Sequence, residues 1–361
     1  MAVNITNLNY VPTLAIRASE MNGLERLPAA TKDRIQPNFL LAPWPNANEL
    51  ARAVDRINKA FPNRPFFLDI DRDYRITNDD AFAQQQWVDL QDPAGNYANW
   101  IGFIETIPMA SPCLQVEHQT RAQIVEQIAA FQEMDRTFAF RIELDRIPVN
   151  LNEAIAAINE VGSADYAIIV ESGWLRDTLP MRLTVGNLIR TQLADIDAQV
   201  PMVVSYTTIP KGYADVEGVD FVPFDNRQFL ADLTQQTNRQ RITFGDWGST
   251  RPRTHERAGP PKPRVDLAVR NGWLSARNKE DDWGFDDAAS AIMARDEWRD
   301  QVSGLGIWGE FMIRQTATSP ALGINSPQKN IAARVNIHLH IQAFFNDGDI
   351  RGIDLDETWE D

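Results

Sequence analysis

The chain alternates short runs of β-branched and aromatic residues with longer amphipathic segments, from Tyr10 to about Thr250. This alternation is typical of parallel strands joined by right-handed helical crossovers. The pattern predicts eight strands and seven helices. The strands are expected at residues 10–16, 35–41, 65–70, 101–107, 137–144, 166–171, 201–206 and 241–245. The helices are expected at residues 20–27, 48–60, 79–90, 121–134, 151–161, 184–196 and 224–236.

The predicted helix at residues 121–134 shows the periodicity on which this assignment rests. Ile124, Ile128 and Phe131 share one stripe, and Gln127 is expected on the opposite, solvent-facing side. Eight strands with helices between them predict an α/β fold of the closed (β/α)8 TIM-like barrel type. An open doubly wound sheet is the alternative, but the GxGxxG turn that usually follows its first strand is missing after Ile16.

The C-terminal part of the chain has a different pattern. Residues 251–264, RPRTHERAGPPKPR, combine four prolines and five basic residues with one acid, which favours an extended linker that could contact a phosphate or an acidic partner. Beyond it we expect strands at 265–276 and 306–316, a helix at 286–298 and a last helix at 328–345. The predicted organisation is a barrel at 1–250, a linker at 251–264, an α+β appendage packed on the barrel at 265–346 and a solvated acidic tail at 347–361.

Composition narrows the class of protein. The 361 residues carry 35 Lys and Arg against 50 Asp and Glu, a net charge of −15 that disfavours general nucleic-acid binding. Cys113 is the single cysteine, so an internal disulfide is excluded and a cytoplasmic location is expected. No run approaches the roughly 18 apolar residues of a membrane span, and a membrane partner is not expected.

Short motifs at several strand ends resemble those of a known family. They are YVPTL at residues 10–14, IQP at 35–37, FRI at 140–142, SYTTIPK at 205–211, FGDWG at 244–248 and HLHI at 338–341. Together with Arg17, Glu20, Leu24 and Leu27, they resemble the beta protein family of satellite phages, prophages and bacterial defence islands. Two positions depart from that pattern: Trp247 stands where tyrosine is expected, and Leu339 separates two histidines that are expected to be adjacent.

The resemblance implies a role in a multi-gene phage-defence or phage-exclusion locus, beside a toxic effector or another partner protein. It implies no established catalytic reaction. The leading prediction is therefore a protein that acts through interaction with a co-encoded defence protein or a phage protein. The alternative is an enzyme, a metal-dependent phosphodiesterase or other hydrolase.

Functional groups of a (β/α)8 barrel lie at the C-terminal ends of its strands, where the loops share one concave face. The predicted strand ends supply a ring of acids with a few arginines. The catalytic candidates of this ring are Asp69, Glu105, Arg141, Glu143, Glu171 and Asp246. Residues two apart on a strand face the same side, so we expect these groups to converge inside the barrel.

Three interpretations of this ring stay open. Acids and arginines buried in a barrel often pair as a structural network. Hard oxygen ligands on Asp69, Asp71, Glu143 and Asp246 would instead suit Mg²⁺ or Ca²⁺, which could activate water against a phosphodiester. A carboxylate pair acting on a glycoside is the third. No cofactor other than such an ion is predicted.

The segment at residues 245–250, GDWGST, is the strongest single ligand-binding candidate. Its glycines permit a sharp turn, while Asp246 and Trp247 offer a hydrogen-bond acceptor and a stacking plane, although a packed barrel-closing turn is an equal alternative. Arg17, Arg141 and Tyr206 complete the predicted ligand-binding set. His338 and His340 project apart on the last helix, so one is expected in the core and one in solvent. Trp44, Trp100, Trp174 and Trp283 are expected in loops, where they could anchor a partner.

Overall fold

The chain is described by a computed structural model that covers residues 3–162, 165–175, 178–224, 227–254, 262–278 and 283–351. The strands are β1 (Tyr10–Ala15), β2 (Asn38–Leu41), β3 (Phe66–Ile70), β4 (Ala110–Pro112), β5 (Phe138–Glu143), β6 (Tyr166–Trp174), β7 (Met202–Thr207), β8 (Gly218–Pro223), β9 (Ile242–Asp246), β10 (Val265–Val269) and β11 (Gly272–Arg277).

The helices follow the strands in the expected alternation. They are α1 (Ala18–Glu25), α2 (Ala29–Lys32), α3 (Ala51–Ala60), α4 (Phe82–Asp89), α5 (Ala94–Glu105), α6 (Arg121–Glu133), α7 (Leu151–Val161), α8 (Leu179–Thr191), α9 (Arg227–Thr237), α10 (Phe285–Met293), α11 (Asp296–Gln301), α12 (Trp308–Thr318) and α13 (Pro327–Ala343). Within the described ranges, no helix combines the length and the hydropathy that crossing a membrane requires.

Eight strands form one parallel sheet in the order β4-β3-β2-β1-β9-β7-β6-β5. Its two edge strands meet: Cys113, directly after β4, pairs in parallel with Ala139 of β5. The amide of Leu114 also donates to the carbonyl of Ala139 at 2.8 Å. The sheet therefore closes into a barrel, which confirms the predicted (β/α)8 fold.

The lower end of the barrel is filled with apolar side chains. Val3, Ile5 and Leu8 precede β1 and pack against residues that point inward from the strands. These inward residues are Val11, Phe67, Cys113, Ala139, Ala167, Ile169 and Val203. The interior is thus a packed core at this end, where the hydroxyls of Ser111 and Thr137 bond the backbone of Val3. The charged side chains of the lumen lie at the opposite end, where the strands finish.

Helix α6 confirms most of its predicted pattern and corrects one position. Ile124, Ile128 and Phe131 are buried, as the stripe predicts. Gln127 is fully buried too, although it was expected in solvent. Its side-chain amide bonds both backbone groups of Gln115: it accepts from the amide at 2.9 Å and donates to the carbonyl at 3.0 Å. The side chain of Gln127 points inward because the buried backbone groups of Gln115 need hydrogen-bond partners.

Two predicted strands are helices in the structure. Residues 101–107 belong largely to α5, which buries Trp100 and Ile104 one helical turn apart, and the fourth barrel strand is the short β4 that follows. Residues 306–316 fall mostly in α12. Both apolar runs are short, and short apolar runs do not distinguish a strand from half of a buried helix. The prediction that Trp100 lies in a loop is wrong for the same reason.

The C-terminal region packs on the barrel and shares a sheet with a strand from the predicted barrel range. β10, β11 and β8 form a small antiparallel sheet, although β8 comes from the segment after β7, inside the range predicted as barrel. α13 packs on α1 and contacts β1, so it covers the outside of the barrel beside β9. Gly23 of α1 permits this approach, since a Cβ there would lie 2.6 Å from the carbonyl oxygen of Ala332. Residues 255–261 of the predicted linker and 352–361 of the predicted acidic tail lie outside the described residues.

Candidate functional site

Arg141 of β5 is the centre of a buried ion network inside the barrel. Its two terminal nitrogens contact Asp69 of β3 at 3.1 Å and Glu143 at 2.9 Å. Burial alone would lower the pKa of Arg141, but the carboxylates of Glu143 and Asp69 outweigh it and raise that pKa. The guanidinium therefore stays charged and neutralises its neighbours.

Polar neighbours hold this network in place. Gln115 donates to Asp69 at 2.8 Å, and Gln115 is itself fixed by Gln127 from α6. On the other side, Arg146 contacts Glu143 at 2.8 Å and Asp73 at 3.0 Å. The acids of the lumen are thus matched by arginine and amide donors, as the structural interpretation of the ring expects.

Glu171 of β6 also faces the lumen. It accepts hydrogen bonds from the indole nitrogen of Trp247 at 2.8 Å, from the amide of Gly173 at 2.7 Å and from the hydroxyl of Thr13 at 3.3 Å. Burial raises the pKa of Glu171, although Arg141 and these hydrogen bonds act against it. Trp247 is fully buried, so its indole packs in the barrel and offers no exposed stacking plane.

Asp246 lies on the outer face of the barrel, which corrects its predicted place in the inward ring. Its carboxylate accepts from the hydroxyl of Tyr10 at 2.6 Å and from the amide of Gly248 at 2.7 Å, and it meets Nε2 of His338 at 2.5 Å. Burial, followed by the charge of Asp246, raises the pKa of Tyr10 well above its usual value. Asp246 therefore ties β1 and β9 to α13 instead of facing Arg141.

Two more predicted site residues are placed elsewhere. Glu105 is the last residue of α5 and is exposed, because the segment that contains it is a helix and not a strand. Tyr206 points out of the barrel and packs against Phe224 and Phe229. Neither side chain belongs to the buried group around Arg141.

Both histidines of the last helix are buried, so the expectation that one of them faces solvent is wrong. His338 contacts Asp246, and His340 meets the hydroxyl of Thr31 through Nδ1 at 2.8 Å. Burial lowers the pKa of His340 to about 4, which keeps the ring neutral at physiological pH. α13 is enclosed by α1, β10 and α12, and this leaves neither position exposed.

The four predicted metal ligands are not brought together. Asp69 and Glu143 share Arg141, while Asp71 pairs with Arg253 at 2.5 Å. Asp246 lies on the other side of the sheet. Among the residues that the structure describes, no group of three or more His, Cys, Asp or Glu side chains is placed to hold a metal ion. The geometry gives the metal-site prediction no support.

A cavity of about 510 Å³ lies at the C-terminal mouth of the barrel, beside the lumen network. Its charged lining is almost entirely cationic. The arginines are Arg17, Arg75, Arg251, Arg253, Arg264 and Arg334. Glu20 is the one acid among its described lining residues. We call this space the arginine cavity.

The arginines reach the cavity from distant parts of the chain. Arg17 follows β1, where it pairs with Glu20 and donates to the carbonyl of Arg251 at 2.9 Å. Arg334 comes from α13 and contacts Asp266 of β10 at 2.5 Å. Arg17 was among the predicted ligand-binding residues, and the basic run at 251–264 was a visible signal for Arg251, Arg253 and Arg264. Arg75 and Arg334 carried no such signal, because only the tertiary packing brings them to the mouth.

Asp266 lies behind the lining of the arginine cavity and holds two of its arginines. Both terminal atoms of its carboxylate are used, by Arg264 at 2.8 Å and by Arg334. Burial would raise the pKa of Asp266, but Arg264 and Arg334 reverse that effect and lower it. Asn330 and Ser275 donate to the same carboxylate at 2.9 and 2.8 Å. These contacts fix two cavity arginines in position.

The chain is thus a closed (β/α)8 barrel protein with a charge-paired lumen and a cationic cavity at its mouth. It belongs to the beta protein family, whose model matches residues 10–344. The chain is similar to "Protein beta" of Enterobacteria phage P4, with 27% identity over an alignment of 374 residues that covers 99% of each chain.

Solved structures with related backbones are much more distant. Tryptophan synthase from M. tuberculosis, in its aminoacrylate-bound form, has 11% identity and a TM-score of 0.32, covering 68% of this chain and 85% of that chain. D-psicose 3-epimerase from Clostridium cellulolyticum H10 has 9% identity and a TM-score of 0.33, covering 66% and 84%. A likeness of this size carries nothing about activity.

Proposed function

We propose that this chain is a partner-binding component of a multi-gene phage-defence or phage-exclusion locus and acts in the cytoplasm. Its membership of the beta protein family and its similarity to a phage P4 protein support the setting. The partner is a co-encoded defence protein, which binds at the C-terminal end of the barrel. A phage protein as the partner is the other outcome that the experiment below distinguishes.

The distribution of exposed apolar side chains carries this proposal. Of ten large apolar side chains that are exposed in the described residues, six lie in segments that directly follow barrel strands or in the first turns of the next helix. They are Ile76, Phe82, Ile147, Val149, Leu179 and Leu183. All of these segments leave the barrel at its C-terminal end, so the apolar groups surround one face, which we call the apolar rim.

An apolar rim around a charged centre is a common design of a protein-binding surface. Exposed apolar groups that cluster on one face mark interaction sites, whereas scattered ones carry no meaning. Arginine is also enriched in such interfaces. The pairing of Asp69 and Glu143 with Arg141 gives the metal-dependent phosphodiesterase no comparable support.

The test expresses each neighbouring gene product separately with this chain and measures co-purification. We expect one co-encoded protein to be retained, and the double variant Phe82→Ser, Val149→Ser to lose it. Leu322→Ser is the matched control, because Leu322 is also well exposed but lies between α12 and α13, in a segment that does not follow a barrel strand.

Two results would contradict the proposal. One is that no co-encoded protein is retained while the chain itself is folded. The other is that the rim variant and the Leu322→Ser control bind the partner equally well. If only phage proteins are retained, and the rim variant loses them, the rim is the interface but the partner is a phage protein and not a co-encoded defence protein.

A further inference from the structure

The arginine cavity concentrates positive charge in a chain whose net charge is −15. Six guanidinium groups surround about 510 Å³ of space, with Glu20 as the one acid in the described lining. Asp71 and Asp266 lie behind the lining and pair with cavity arginines. When these two acids are counted with Glu20, six arginines face three acids. Like charges held this close repel each other, so an anion that enters the cavity is stabilised.

The geometry of the cavity is held independently of any ligand. Asp71 fixes Arg253, and Asp266 fixes Arg264 and Arg334. A guanidinium has five N–H donors, so one carboxylate cannot use them all. Arginines that are already ordered lose little side-chain entropy when they bind a second anion, and this pre-organisation favours binding.

Arg75 differs from the other cavity arginines. It lies in the segment between β3 and α4, it is exposed, and among the described residues it makes no ion pair. Its charge is therefore not needed to balance a carboxylate of the fold. A cation without a structural partner at the edge of a cationic cavity is well placed to contact a ligand.

The remaining walls suit a planar ring better than a bare ion. Tyr74 and Tyr213 line the cavity together with Ile209 and Pro210. The guanidinium of Arg264 lies 3.4 Å from the ring centroid of Tyr213, and that of Arg253 lies 5.5 Å from that of Tyr74. A guanidinium that is stacked on a tyrosine presents its own second face, on which a base can stack while the other arginines bind its phosphate.

We infer that the arginine cavity binds a small organic phosphate that carries a planar ring, the chemical class represented by mononucleotides. The phosphate contacts the arginines and the ring lies against the tyrosine walls. A cavity of this volume is in the range of about 300–1,000 Å³ that small-molecule sites occupy. The inference goes beyond the proposed partner binding and does not depend on it.

The experiment measures binding of AMP, GMP, adenosine and inorganic phosphate to the full chain by calorimetry and by the shift of the melting temperature. We expect AMP or GMP to bind saturably, more tightly than inorganic phosphate, and adenosine to bind weakly. Arg75→Gln should weaken binding of nucleotide and phosphate about tenfold, because it removes charge-assisted hydrogen bonds. Tyr213→Ser should weaken nucleotide binding more than phosphate binding.

Arg299→Gln is the control, because Arg299 is an exposed arginine of α11 remote from the cavity lining. The rim variant Phe82→Ser, Val149→Ser should bind nucleotide normally, so failure of partner binding and failure of this inference are distinguishable. The inference is overturned if no phosphate compound binds at millimolar concentration, or if Arg299→Gln weakens binding as much as Arg75→Gln. Binding of an acidic peptide that nucleotides do not displace would overturn it as well.

Discussion

The barrel lumen and the arginine cavity contain the same residue types in opposite balance. In the lumen, Arg141 lies between Asp69 and Glu143, and its side chain is only 3% exposed. In the arginine cavity, six arginines surround open space with Glu20 as the acid of the described lining. A charge with buried partners of opposite sign is part of the fold, whereas a surplus of one sign beside open space is available to a ligand.

The same contrast is visible in two buried acids. Burial raises the pKa of Glu171 in the lumen, where Arg141 compensates it incompletely. The pKa of Asp266 is lowered, because Arg264 and Arg334 together outweigh its burial. Burial is similar at the two sites, and at Asp266 the direct ion pairs with Arg264 and Arg334 reverse its effect.

The largest effect is expected from the loss of Arg141. Arg141→Ala leaves Asp69 and Glu143 buried without their main counter-charge, and we expect the free energy of unfolding to fall by about 3–5 kcal/mol. Urea denaturation measures this change. Arg299→Ala on the surface should stay within about 0.5 kcal/mol. A loss of less than about 1 kcal/mol for Arg141→Ala would mean that the lumen network is not structural.

Gly245→Ala tests whether side chains fill the barrel lumen tightly, in contrast to the open arginine cavity. A Cβ at Gly245 would lie 2.7 Å from Cγ1 of Val203 and 3.0 Å from the carbonyl oxygen of Val11. Overpacking of this kind costs about 1–3 kcal/mol. Gly102→Ala in α5 is the matched control, because a Cβ there meets nothing within 4 Å. Equal stability of the two variants would contradict a packed lumen.

A smaller effect should appear in how stability depends on pH. The lowered pKa of Asp266 stabilises the fold above the unfolded value of about 3.9, and this contribution is lost as the pH falls through the folded pKa. The raised pKa of Glu171 has the opposite sign, since stability is lost as the pH rises above the unfolded value of about 4.3.

Urea titrations of Asp266→Asn and Glu171→Gln at a series of pH values separate these two slopes. Asp266→Asn should remove the acid-side loss of stability below about pH 3.9, and Glu171→Gln should remove a loss above about pH 4.3. If both variants change the pH dependence of stability in the same direction, the pKa values of Asp266 and Glu171 are not shifted in opposite directions.

The smallest effect is expected at Arg75. It is exposed and makes no ion pair within the described ranges, so Arg75→Ala should change the free energy of unfolding by less than about 0.5 kcal/mol. Thermal and urea denaturation check this. A clear destabilisation would show that the fold needs Arg75. Arg75 in the arginine cavity would then be a structural arginine, as Arg141 is in the lumen.

The fold was largely predictable from the sequence, and the candidate site only in part. Seven of the eight predicted barrel strands are strands in the structure, and the exception, residues 101–107, is a short apolar run that fits either element. Alternation along strands correctly placed Asp69, Arg141 and Glu143 on one side. The prediction failed at Asp246. At the end of β9, Trp247 points into the barrel and Asp246 points outward.

The sequence by itself determined the barrel class, the inward side of Asp69 on β3 and of Arg141 and Glu143 on β5, and the basic run after the eighth barrel strand. These features depend on periodicity and composition, which are local properties of the chain. Only the tertiary structure decided that α13 covers β1 and β9 and that Arg75 and Arg334 meet Arg17 at the mouth. Contacts between residues hundreds of positions apart depend on how helices pack around the closed sheet, and no local pattern encodes that packing.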